Sequence, residues 1–224
     1  MSASTTTFAA GQSVAASTTS AYGREFWEHL WRTAGLQSVG CFVGAYVAYG
    51  YLPEVAAIFA GLAILNLMWF AAAVRTTLID AGQDGWGAAA TASSAALGGV
   101  LLLLVSGQTA LTHSIASLGN QTLTSAFSNF VWAGVVLTSF PRAMLIMAGT
   151  FGLWRGGLIS NAQFAAGVAA VVLVLAGGTT WMSDGFWAPS GAYSRFISPA
   201  IAFAWIAAVS RVLLKRAPLG RLAW

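Results

Sequence analysis

Apolar positions in this chain fall into long blocks. Six stretches, Thr33–Tyr51, Val55–Val74, Trp86–Val105, Phe130–Trp154, Ala162–Met182 and Ile197–Leu214, are separated by shorter polar or glycine-bearing segments. About 20 apolar residues is the length at which an α-helix crosses the hydrocarbon core of a bilayer. A transmembrane β-barrel would show shorter segments alternating with a period of two, and these blocks do not alternate. The pattern predicts an all-α polytopic membrane protein with six transmembrane helices in one domain, residues 24–214, between a tail at 1–23 and a basic tail at 215–224.

The segments between the blocks carry their own pattern. Met1–Gly23 is rich in Ser, Thr and Ala, lacks Lys and Arg, and has no continuous apolar run. It reads as a disordered tail and does not match a secretory signal. In Arg24–Arg32, Phe26, Trp27, Leu30 and Trp31 share one helical face, and Arg24–Glu28 and Glu28–Arg32 are i,i+4 pairs. That predicts a short interfacial helix before the first span. Ser106–Asn129 reads as the longest connection, with Leu111, Ile115 and Leu118 at helical spacing, and predicts a short helix lying on or dipping into the membrane. Ser183–Ser198 reads as an aromatic loop.

Composition supports the membrane reading. The chain is 58% hydrophobic and 7% charged, where a soluble domain carries about 25% charged residues. The net charge of +4 is not a nucleic-acid signal, because the basic residues lie at span ends. With six spans, Arg24, Arg32, Arg75, Arg155, Arg211, Lys215, Arg216 and Arg221 share one side, and Arg195 is alone on the other. The positive-inside rule then places both termini in the cytoplasm. Trp86, Trp132, Trp154, Trp181 and Trp187 fall near span ends, where an aromatic belt would lie.

Candidate chemistry centres on the fourth span, which carries Pro141 and Arg142 near its middle. A charge at that depth costs about 3 kcal/mol by insertion scales. Asn66 of the second span falls at a similar depth at about 1.5 Å per residue, and no Asp or Glu does. Three accounts of Arg142 follow. It bonds backbone carbonyls freed near Pro141 together with Asn66, Ser139 or Thr138; it faces a water-filled cavity; or it holds an anionic group of a ligand. Arg142, Asn66 and Ser139 are the candidate ligand-binding set. On the opposite face from the termini, His113, Asp184 and Arg195 form a second candidate polar cluster.

Other residue types narrow the field. Cys41 is the single cysteine, so an intrachain disulfide is excluded; it reads as a packing residue. His29 and His113 fall on opposite membrane sides, which excludes a bis-histidine haem between them. Asp80 and Asp84 lie four apart in a loop with no nearby histidine and read as solvated carboxylates. No span carries a lysine for a Schiff base, and neither a phosphate-cradling glycine loop nor Gly-x-Ser-x-Gly occurs. No cofactor and no metal site is expected.

The run Gly152-Leu-Trp-Arg155-Gly-Gly-Leu-Ile159, followed by an apolar span, resembles small uncharacterised bacterial six-helix integral membrane proteins. The resemblance covers about the C-terminal half, implies a bacterial inner-membrane setting and transfers no catalytic residue. Two functional readings follow. The first is a non-catalytic accessory or regulatory membrane subunit, with the bilayer and a protein partner or a second copy of the chain as its neighbours and no nucleic acid. The alternative is a small-molecule or lipid binding or transport protein with a cavity around Asn66 and Arg142. An enzyme acting through His113, Asp184 and Arg195 is a third, weaker reading. Whether Arg142 faces a cavity or a packed seam separates the first two.

Overall fold

The computed structural model describes Leu30 and residues 33–215. Of the expected interfacial helix at Arg24–Arg32 only Leu30 is described, in helical conformation; its remainder and the tails at 1–23 and 216–224 lie outside the described residues. All regular structure among the described residues is helical. The helices are α1 (Thr33–Ala48), α2 (Pro53–Asp80), α3 (Asp84–Ala110), α4 (Gln121–Leu137), α5 (Ser139–Arg155), α6 (Asn161–Ala176) and α7 (Ser198–Lys215). α4 and α5 are two halves of one interrupted span, giving six apolar helical segments. Five of them, Glu54–Asp80, Asp84–Leu118, Gln121–Arg155, Asn161–Thr179 and Tyr193–Lys215, are long and apolar enough to cross a membrane. α1 is apolar but shorter. The chain is a helical membrane protein.

The direction of the chain alternates. At one end, the α2–α3 turn meets the α5–α6 turn: a side chain built at Gly156 would touch Ala81 Cβ, and one at Gly87 would touch Arg75. At the other end, the Tyr46 hydroxyl donates to the Arg195 carbonyl over 3.0 Å and the Gln108 amide donates to the Tyr49 hydroxyl. α2 packs along α3, α3 along α5 and α5 along α6. The core is built from Leu67, Phe70, Val74 and Leu78 of α2, Leu145, Ile146 and Leu153 of α5, and Trp205, Ile206 and Val209 of α7. Phe70 meets Trp205 edge to face, with ring centroids 6.2 Å apart, a geometry aromatic quadrupoles favour. Only 28–39% of the most apolar window of each of the five spans is buried within the protein, so most of their apolar surface faces outward, as a lipid solvent requires.

Two connections differ from the sequence reading. Ser106–Asn129 is not a long connection: α3 runs on to Ala110, a wide helical turn follows at Leu111–Ile115 and a tight one at Ala116–Leu118, and α4 starts at Gln121. The helical spacing of Leu111, Ile115 and Leu118 therefore belongs to the continuation of α3. Gly119, at φ +67°, reverses the chain, a conformation that costs glycine nothing. Asn120 then caps α4 by accepting from Leu123 N at 3.1 Å, one of the orphan amides at a helix start. At the other hairpin, the final helical segment begins at Tyr193, inside the expected aromatic loop.

Candidate functional site

The interrupted span sets the surroundings of Arg142. Pro141 has no N–H for the Leu137 carbonyl, and its ring cannot pack against that carbonyl in a regular helix. The helix breaks at Thr138, midway along Gln121–Arg155, so that Pro141 falls in the first turn of α5, where amides lack intrahelical partners in any case. The break concentrates backbone acceptors. Val135 O takes Thr138 N at 3.2 Å and the Thr138 hydroxyl at 2.6 Å.

Arg142 fastens onto this break. Its Nε donates to Thr138 O at 3.3 Å and its Nη2 to Val135 O at 3.2 Å and to the Thr138 hydroxyl. Its Nη1 reaches across to Ser198 Oγ of α7 at 3.4 Å. Every one of these acceptors is neutral. The planar guanidinium suits the task, because its fixed fork of donors can serve several diverging acceptors at once.

The surroundings are closely packed. Ser139 and Ser198 are both 1% exposed. A Cβ built at Gly177, after the end of α6, would lie 2.9 Å from Ser139 Oγ and 2.9 Å from Ser198 Oγ. Thr180 Oγ1 donates to Gly177 O at 2.8 Å and lies 2.7 Å from Ser194 Oγ. The starts of α5 and α7 and the end of α6 thus meet in a seam of hydroxyls and glycine with Arg142 on its edge. Ser139 belongs to the seam, but Thr138 is the residue of that pair to which Arg142 bonds.

Asn66 stands elsewhere. Its Nδ2 donates to Leu62 O at 2.9 Å within α2, and its Oδ1 is buried without a partner. No hydrogen bond joins it to Arg142. On the opposite face, His113 lies in the turn Leu111–Ile115, Asp184 in the turn between α6 and α7, and Arg195 in the first turn of the last segment; all three are exposed. No hydrogen bond or ion pair joins any two of them. Arg195 lies over Phe196, with Cζ 5.4 Å from the ring centroid. Among the described residues no three His, Cys, Asp or Glu side chains gather as metal ligands.

Sequence reasoning missed Ser198 and the Val135 carbonyl as partners of Arg142. Ser198-Pro199 carries a helix-start signal that marks where Ser198 enters the bundle, but no local pattern joins it to α5. It also missed a cavity of about 840 Å³ at the Tyr49 end of the bundle, between the end of α1, the start of α2, the end of α3 and α4. Neither Asn66 nor Arg142 lines it, whereas Arg195 does. No protein-family model matches the chain, and no curated protein or solved structure matches it either.

Proposed function

We propose that this chain is a non-catalytic integral membrane module, an accessory or regulatory subunit that works by packing against another helical protein or a second copy of itself. The observation that carries the reading is the disposition of Arg142. The charge at mid-depth, the feature most suggestive of a ligand or ion path, spends its donors on neutral protein groups at a packed seam. His113, Asp184 and Arg195 likewise share no hydrogen bond through which general acid–base chemistry would run.

Glycine placement gives further support. Gly40 in α1, Gly61 in α2 and Gly99 in α3 have open space where a side chain would stand. A mid-helix glycine costs about 0.5–1 kcal/mol relative to Ala, and in membranes such positions let a second helix backbone approach closely. The basic-residue distribution supports six spans with both termini in the cytoplasm.

The test is mass spectrometry of the complex purified in mild detergent, comparing wild type with Gly40→Leu, Gly61→Leu and Gly99→Leu. A stoichiometric protein partner or second copy, lost in at least one of the three while the melting temperature holds, is the expected result. A chain that is monomeric and partner-free in mild detergent and after crosslinking in membranes would overturn the reading.

A further inference from the structure

We propose that the cavity at the Tyr49 end is a binding site for an anionic membrane phospholipid, with its phosphate at Arg195 and one acyl chain in the cleft below. This goes beyond the module reading and does not depend on the existence of a protein partner.

Beside the cavity, α4 packs closely on α3 at two glycines. A side chain at Gly107 would meet Val131 and Phe127, and one at Gly134 would meet Leu104. On α1 and α2 the lining includes small residues, Ala45 of α1 with Ala57 and Ala60 of α2, beside the aromatic Phe42 and Tyr49. The space is about 840 Å³, within the range of about 300–1,000 Å³ typical of small-ligand pockets. One chain of a bilayer lipid can enter such a cleft while the second stays in the surrounding lipid.

The lining is amphipathic along the cleft. Leu101, Leu104, Val131 and Val135 are apolar, whereas Tyr49, Gln108, Thr112 and Arg195 gather toward the chain reversals at this end. The polar end is ordered by the protein itself. Gln108 donates to the Tyr49 hydroxyl, and the Tyr46 hydroxyl holds the Arg195 carbonyl. The Arg195 side chain has no carboxylate partner among the described residues; its contact is the Phe196 ring. The cavity lining therefore carries one fixed positive charge and no carboxylate, beside an apolar cleft that a free inorganic anion would leave unfilled.

The position agrees with the chemistry. Arg195 lies two residues into the segment Tyr193–Lys215, one of the five long enough to cross a membrane. That is headgroup depth, where arginines meet lipid phosphates and aromatic residues gather. Tyr46, Val47 and Tyr51 at the cavity are 50%, 64% and 83% exposed, so the cleft opens outward and lipid can enter sideways.

The experiment is native mass spectrometry and thermal melting of the delipidated protein with added phosphatidylglycerol, phosphatidylcholine or inorganic phosphate. Three variants are compared with wild type: Arg195→Gln removes the charge from an exposed side chain, Ala60→Phe fills the cleft, and Arg211→Gln removes an exposed cation at the other end. Wild type should retain one phosphatidylglycerol and melt higher with it, and bind phosphatidylcholine more weakly. Arg195→Gln should lose about tenfold or more in affinity for phosphatidylglycerol, Ala60→Phe should lose both lipids, and Arg211→Gln should behave as wild type. Equal binding of the two lipids, equal losses in Arg195→Gln and Arg211→Gln, or full competition by inorganic phosphate would each overturn the proposal. If Ala60→Phe fails to fold, the contrast between the two arginine variants still decides.

Discussion

At the scale of single residues, the balance around Arg142 makes an ordering of variants testable. Arg142→Lys keeps the charge at mid-depth but cannot reproduce a fork that reaches Thr138, Val135 and Ser198 together. Arg142→Leu loses the same bonds but also removes a charge worth about 2.5–3.5 kcal/mol of insertion cost. The lysine variant should therefore melt lower than the leucine variant in detergent, and the reverse order would mean that the charge itself is required. Asn66 offers a second case. Its Oδ1 is buried without a partner, a condition that costs about 1–3 kcal/mol. Asn66→Leu should hold or raise stability, measured by thermal unfolding, and a marked loss would show that the amide has a partner in the membrane. Arg142 was visible in the sequence as a charge too deep to be free, and Pro141 beside it pointed to the freed carbonyls. The pairing with Ser198 was not visible, because it spans three helices and depends on how α5, α6 and α7 meet. The depth match with Asn66 gave the two residues a similar height, but height alone says nothing about which faces of α2 and α5 look at each other.

At the scale of helices, glycines with opposite surroundings should respond in opposite ways. Gly177 is pressed between Ser139 and Ser198, so Gly177→Ala forces a close-packed seam apart and should cost about 1–3 kcal/mol. Gly40 has open space around it, so Gly40→Ala should leave the isolated chain as stable or gain about 0.5–1 kcal/mol. Melting of both variants side by side checks the pair; equal effects would mean the seam at Gly177 is looser than described. The helices themselves were largely legible, because blocks of apolar residues at span length have one economical solution in lipid. Their ends were less so. The Ser106–Asn129 segment lost its continuous apolar run after Val105, and the polar Ser106, Gln108, Thr109 and Thr112 looked like a connection. The three hydroxyls among them instead bond back to carbonyls of their own helix, Ser106 to Leu102, Thr109 to Val105 and Thr112 to Gln108, which lets polar residues continue a helix at the membrane edge. Pro141 pointed to carbonyls freed nearby, but the division of the span into two helices at Thr138 was not legible.

At the scale of the whole molecule, alternating direction and the clustering of basic residues at one end yield a topology prediction. Reporter fusions after Gly82 and Gly157 should report the cytoplasm and fusions after Gly119 and Gly185 the far side, since these glycines sit in the successive chain reversals; any other alternation would contradict six antiparallel spans. The order in which the chain is synthesised adds a consequence of the Thr138 break. The most apolar 18-residue stretch of the span that holds Arg142, Gln121–Arg155, has the lowest mean hydropathy among the five long spans, 1.6 against 1.8 to 2.1, so this span would be the most reluctant to leave a translocon alone. Ser198 is still unmade when that span emerges from the ribosome. The bonds to Thr138 and Val135, however, lie four and seven residues upstream within the same interrupted span, so every bond of the guanidinium but the one to Ser198 is local to that span. The interruption thus works as a built-in escort, supplying a charged residue with partners from its own span and leaving one of its donors for the last helix when that helix arrives.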